Sequence, residues 1–504
     1  MNRIFSWQRL TLTTLLALAI SVAAGCKQNT KVGGDKEAKP EEPIGSTPAN
    51  EDPVLVEHAK KNNWWLLRDM RVSDGRPVVV LAVKNTDKNF DDIEITLDDY
   101  KIIAKTKTVQ VIDLTKVKNP SEEGLKLIAG IPTLDTLSLS GEGVTDGCLK
   151  TIAQCKTLEI VSVAGAKKAT AAGIKELATL PKLKEVHLSF MEIDGAALAA
   201  FGDVKTLQVV KLQYADGLTD DGVKQLARLP NLNELRIGKG FGTSTLTSAG
   251  IKAIVDARLP AKFEFDKKLL DDDLFTALVA KGWLYGPTPA GDKEKRPATA
   301  AEVREINLEA SKVTDKGFQA VLDCTNVKFL FLGNTSIGDG TFKKLAGFQK
   351  LEYLSLEKTK VTAAGIEAIA ALPIRHVALE WHDLTEDHFK AFAKMTALED
   401  LWLANAKMNP DWLKHIIKLP NLKDLSLRDA ALDDANAKQL AGMTSLTSIT
   451  ANSTKLGNEG FLALLKLPNL KSLNVDCTQV TKEVYQNAKK DYSKVSLYYY
   501  AFDR

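Results

Sequence analysis

The chain has little of what catalysis and metal binding are usually built from. Its 504 residues include 5 cysteines and 6 histidines, with no C-x-x-C pair, so the ligand spacing of a zinc site is missing. No G-x-S-x-G, P-loop, H-E-x-x-H or strand-borne G-x-G-x-x-G occurs, and Asp271-Asp272-Asp273 lacks the alternation of a calcium loop. His376, Glu380 and His382 lie close in sequence, but strand and turn geometry scatters them. The reading is non-enzymatic, with no catalytic residue, cofactor or metal. Charge of one sign is lacking too. Without Arg3 and Arg9, which precede an apolar run, 65 basic residues face 64 acidic ones, and nothing attracts nucleic acid over long range. That run, Leu10–Ala24, is shorter than the roughly 20 residues a membrane span needs.

What the chain has instead is repetition. From near Val109 to the end it repeats a phrase of about 24 residues: a strand L-x-x-L-x-L, a short loop, T-D-x-G-L opening a helix, and L-P-x-L before the next strand. Leu134, Leu137 and Leu139 form one copy, and Leu183, Val186 and Leu188 another. Val327, Leu330 and Leu332, then Leu351, Leu354 and Leu356, are later ones. A unit this short buries its apolar face only against its neighbours, so the product is a solenoid. Thr is a good N-cap and Asp suits the positive end of the helix dipole. The small Gly lets each helix lie close to the next. Pro181, Pro230, Pro373, Pro420 and Pro468 bias the preceding residue out of helix. Cys155 and Cys324 stand in Leu slots and Cys148 in a Gly slot, which predicts core residues. Where an asparagine ladder is usual, Ser311, Thr335, Thr359, Thr454 and Thr478 offer hydroxyls to the neighbouring turn.

Thr219-Asp220-Asp221-Gly222-Val223 and Thr314-Asp315-Lys316-Gly317-Phe318 carry a resemblance to bacterial leucine-rich-repeat lipoproteins, over roughly four-fifths of the chain. It implies an α/β solenoid with parallel strands on the concave face and helices on the convex face, and a role in partner binding without naming the partner.

Arg3, Arg9, the apolar run and Ala23-Ala24-Gly25-Cys26 predict a signal peptide over 1–25. Cys26 resembles a lipobox cysteine, which implies a lipidated mature N-terminus and export to the cell envelope, with simple secretion as the alternative. Residues 26–53 hold almost nothing apolar and read as a disordered tether. An N-terminal cap and atypical repeat are expected over 54–108, a first repeat block over 109–285, a linker or insertion over 286–302, and a second block with its own cap over 303–504. One continuous superhelix with an inserted hairpin is the rival.

Between the apolar strand positions, side chains point away from the core. Most are small or polar, such as Ser138, Ser162, Ser426 and Ser472. Four neighbouring repeats differ, placing Phe329, Phe331, Tyr353, His376, Trp381 and Trp402 on or beside that face, with Glu357, Glu380, Asp400 and Arg428 around them. Four strands span roughly 15 Å, the footprint of a peptide or short glycan. Phe329, Phe331, Tyr353, His376, Trp381, Trp402 and Arg428 are therefore the candidate partner-binding residues. The expected function is a binding scaffold for a protein or peptide, anchored to the membrane by lipid. The alternative is a structural envelope protein assembling by repeat–repeat packing. Mass spectrometry of the mature N-terminus should find residues 1–25 removed and Cys26 lipidated; an unmodified Cys26 or a retained Met1 rejects the anchor.

Overall fold

The structure, a computed structural model, describes residues 51–71, 75–83, 92–238, 244–283, 297 and 299–500. The signal peptide, Cys26, nearly all of the tether and most of 286–302 lie outside the described residues. The chain divides into two compact units between Thr245 and Leu246.

The first unit opens with the helix Pro53–Lys61 and an antiparallel pair of strands, Trp65–Met70 and Pro77–Ala82. Parallel strands follow in chain order: Val111–Leu114, Thr136–Ser140, Ile160–Ala164, Glu185–Ser189, Val209–Gln213 and Glu234–Ile237. The second unit begins with the helix Ser248–Ala257, the strand Lys262–Phe265 and the helix Asp272–Ala280. It then builds a nine-stranded sheet in chain order from Glu305–Asn307 to Ser496–Tyr498, parallel throughout. A helix or a short helical turn lies between each parallel strand and the next. This is a leucine-rich-repeat solenoid, with parallel strands on the concave face and helices on the convex one.

The apolar slots fill the space between strands and helices. Leu330, Leu354, Val377, Leu401, Leu425, Ile449 and Leu473 stack in register and are fully or almost fully buried, each contributing roughly 2 kcal/mol of burial. Cys148, Cys155 and Cys324 are buried among such residues, as their slots predicted.

The helix starts do more than their sequence suggested. In T-D-x-G-L the Asp caps the following helix as well as favouring its own. Asp146 accepts the Thr170 N–H and hydroxyl, both at 2.7 Å. Asp272 does the same for Thr314, at 2.7 and 2.6 Å, and also takes the Gly317 N–H at 3.0 Å. Asp315 and Asp434 serve Gly338 and Gly457, cap residues with no side chain of their own, at 2.9 and 2.7 Å. The Gly of the phrase follows from this. A Cβ at Gly173, Gly317, Gly365 or Gly460 would come within 2.3–2.6 Å of the preceding repeat's Asp Oδ1.

Asn458 in the Asp slot accepts the Thr481 N–H in the same way, at 2.9 Å; where the slot holds Ala or Pro, the next helix caps itself. Ala171 is followed by Asp194, which accepts the Ala197 N–H at 2.8 Å. Pro410 is followed by Asp433, which accepts from Asn436 at 3.0 Å. After Ala363, His388 occupies the Gly slot and its Nδ1 takes the Thr385 N–H at 3.1 Å. Burial holds that imidazole below the usual histidine range, which keeps it neutral and able to accept.

One expectation changes. The hydroxyls of Thr335, Thr359, Thr454 and Thr478 donate to carbonyls of their own turn, Leu332, Leu356, Ala451 and Val475, at 2.7–3.0 Å. Of the four, Thr359 also meets the neighbouring turn, where His382 Nε2 lies 3.5 Å away. His382 in the same slot reaches back to the turn before it, with Nε2 2.7 Å from the Leu356 carbonyl oxygen. Residues 286–302 fall within the second unit, between strands of different sheets, and Asp272 before them caps Thr314 after them.

Asp434→Ala should speed hydrogen exchange of the Gly457 and Gly460 amides tenfold or more. It should cost about 1–3 kcal/mol in chemical denaturation, the usual loss for amides deprived of a charged acceptor. Asp387→Ala, removing a carboxylate that meets Lys390 of its own helix at 2.9 Å, should stay within about 0.5 kcal/mol. Equal effects would show that the cross-repeat bonds contribute nothing.

Candidate functional site

Three rows of side chains run across the outer face of the second unit's sheet. Each strand has a buried central residue and two outward ones, so strand register fixes the rows. The first row runs Glu305, Phe329, Tyr353, His376, Asp400, Asp424, and the second runs Asn307, Phe331, Ser355, Ala378, Trp402, Ser426. Two residues beyond the second row come Glu309, Gly333, Glu357, Glu380, Ala404 and Arg428.

Tyr353 is the hub of the aromatic residues. Its ring centroid lies 6.4 Å from Phe329, 5.1 Å from Phe331, 6.2 Å from His376 and 6.3 Å from Trp402, the last edge-on. Trp402 comes from the strand two places along and reaches back over the small Ser355 and Ala378, which are both buried. These side chains are fixed in turn: His376 Nδ1 meets Asp400 Oδ2 at 2.5 Å, and Trp402 hydrogen-bonds to the Asp424 carboxyl. The rings cover one another in part. Phe329 remains 38% exposed and the others half-buried.

The structure thus brings together Phe329, Phe331, Tyr353, His376 and Trp402. Trp381 stands apart from them, 51% exposed in the turn that follows its strand, with Lys358 Nζ 4.7 Å above its ring. Its φ is +59°, in the left-handed region that a bulky side chain rarely adopts. Phe190 and Tyr214 of the first unit share that turn position and stack at 4.6 Å. Arg428 lies on the third row, 4.0 Å from Glu380.

Glu309 was not singled out by its sequence. Gly333 leaves the third row bare beside it: a Cβ there would lie 3.4 Å from Glu309 Oε1. The carboxylate accepts the Ser355 hydroxyl at 3.3 Å, from two strands away. Glu309, Glu357 and Glu380 therefore form an arc beside Tyr353. Burial pushes the Glu309 and Glu380 carboxyls above the usual range; Lys267 and Arg428 oppose the shift, and Glu357 adds to both. Burial also carries the Tyr353 phenol up to about 12, with Glu309 and Glu380 pushing the same way.

The corresponding strip of the first unit, His187, Lys211 and Arg236, is built differently. Arg236 Nε donates to Glu234 at 2.7 Å, Lys211 lies 3.5 Å from Glu234, and His187 is buried 3.5 Å from Glu185. Among the described residues no group of three His, Cys, Asp or Glu has the geometry to hold a metal ion, and no helix is long and apolar enough to cross a membrane.

The raised carboxyls carry a sign. A folded-state pKa above the unfolded one means the native protein holds the proton more tightly, so stability is lost as pH rises through the folded value. Glu309→Gln and Glu380→Gln should therefore raise the denaturation midpoint at pH 7, and the gain should vanish below the ordinary glutamate range, near about pH 4. The groups facing these carboxyls, Lys267, Glu305, Glu357 and Arg428, remain in both variants. A lower midpoint at pH 7 would show that the arc is internally neutralised.

No protein-family model matches the chain, and no curated protein matches it significantly. Among solved structures it is similar to a leucine-rich-repeat protein of Leptospira interrogans, at 16% identity, with 82% of this chain and 95% of that one covered and a TM-score of 0.41. It is also similar to an internalin of Listeria monocytogenes, at 17% identity, covering 76% of this chain and 94% of that one, with a TM-score of 0.33.

Proposed function

We propose that the protein is a non-enzymatic binding scaffold of the cell envelope, tethered through Cys26, which engages a protein or peptide through the concave face of its second unit. The carrying observation is the aromatic cluster centred on Tyr353. Single exposed aromatics are common on folded proteins, but clustered ones rimmed by charge mark contact sites. The rings are held by one another and by Asp400 and Asp424. A partner meets side chains already ordered, which lowers the entropy lost on binding. Trp381, held in an unfavourable backbone region and half exposed, extends the contact along the turns.

The test is affinity capture of the partner from envelope extract by the full-length protein, set against a Phe331→Ala/Trp402→Ala double variant. Truncating an interface anchor typically costs about 2 kcal/mol or more, roughly thirtyfold in affinity. The variant should lose the partner that the wild type captures while its melting temperature changes little. Unchanged capture by a folded variant moves the site elsewhere, and a large loss of stability would show the rings to be core.

A further inference from the structure

The strip pairs its aromatic rings with carboxylates that are poorly matched by positive charge. Three third-row carboxylates, Glu309, Glu357 and Glu380, sit within four adjacent strand positions, interrupted only by Gly333. One cation stands near each of the three, and each is shared with another group. Lys267 donates to Asn307 at 2.8 Å. Lys358 lies over the Trp381 ring at 4.7 Å and 3.6 Å from Glu357. Arg428 reaches Glu380 only at 4.0 Å and is shared with Asp429 at 3.7 Å. The first row adds Glu305, Asp400 and Asp424, with His376 committed to Asp400. The face is acidic, although the chain as a whole is almost neutral.

We infer that this face selects a cationic side chain: the partner presents a lysine or arginine from an extended segment, its stem lying across Phe331, Tyr353 and Trp402 and its charged head meeting Glu309, Glu357 and Glu380. The inference rests on the binding reading above and gives it a chemistry. Aromatic faces attract ammonium and guanidinium groups through the ring quadrupole, and a long basic side chain lays its methylenes on apolar surface while its head seeks charge. An acidic or phosphorylated segment would set its own charge against the carboxylates. A neutral glycan would leave them as they are, half-buried and repelling one another. Only a cation uses the rings and the arc at once. The raised carboxyls agree, since a bound cation favours their ionised form.

The probe is a random hexapeptide display library selected on the full-length protein, in parallel on a Glu309→Gln/Glu357→Gln/Glu380→Gln variant and on the Phe331→Ala/Trp402→Ala variant. On the wild type, selected peptides should be enriched in lysine or arginine, and replacing that residue by norleucine or citrulline should weaken binding tenfold or more. The triple variant, relieved of mutual repulsion, should remain folded and still select peptides, but without the basic preference. The aromatic variant should select none. Enrichment of apolar or acidic residues on the wild type, or an unchanged basic preference in the triple variant, overturns the cation claim while leaving the aromatic site intact. No selection by the wild type, or binding of neutral oligosaccharides on a glycan array in its place, overturns both.

Discussion

A carboxylate that belongs to one repeat and caps the helix of the next is the contact on which the rest of the array depends. A short helix leaves its first amides without partners, and here many helices have seven residues or fewer. Asp146, Asp272, Asp315, Asp339 and Asp434 each supply the missing acceptor from the repeat before. The same bond favours glycine on the receiving helix, or Thr341, whose hydroxyl donates to Asp315, and it ties adjacent helices together. A second set of cross-repeat bonds runs near the strand entrances, where Asn231, Asn326, Asn421 and Asn469 donate to carbonyls one repeat back at 2.7–2.9 Å. Between these two lines of polar bonds lies the apolar core.

With both helix starts and strand entrances tied down, the outer face of the sheet is free of structural duty. Its side chains are then chosen by other demands, and in the second unit they conflict with stability. Rings stand half in water and carboxylates crowd in partial burial. The first unit handles the same row conservatively, setting Lys211 and Arg236 against Glu234. Local strain and unbalanced charge persist in folded proteins where surrounding structure can carry them, and the stacked repeats beneath provide that support.

The solenoid was legible in the sequence because period, apolar slot and cap are all local signals. Leu354 and Leu401 were placed inward, and Tyr353 and Trp402 outward, by strand alternation alone. What stayed hidden was contact across repeats. That Asp272 caps Thr314 over an intervening segment, or that Glu309 leans across Gly333 to Ser355, depends on which residues stand side by side in neighbouring turns. Slot-by-slot comparison of successive repeats would have revealed the first: Gly173, Gly317, Gly365 and Gly460 each follow an aspartate in the preceding copy. The turn hydroxyls misled because their slot was read by analogy with asparagine. Trp381 was placed on or beside the sheet face, and it stands in the turn that follows its strand.

The capping bonds also bear on how such an array grows. A copy cut at its strand boundaries carries an acceptor meant for its successor and a cap meant for its predecessor. A duplicated copy keeps its helix starts tied where the two new junctions match, as aspartate before threonine and glycine does, or alanine before a self-sufficient cap. The inherited cassette is thus offset from the visible strand-and-helix unit, beginning inside one helix and ending at the start of the next. Ala363 with His388, and Ala171 with Asp194, read as paired changes that crossed such a junction together.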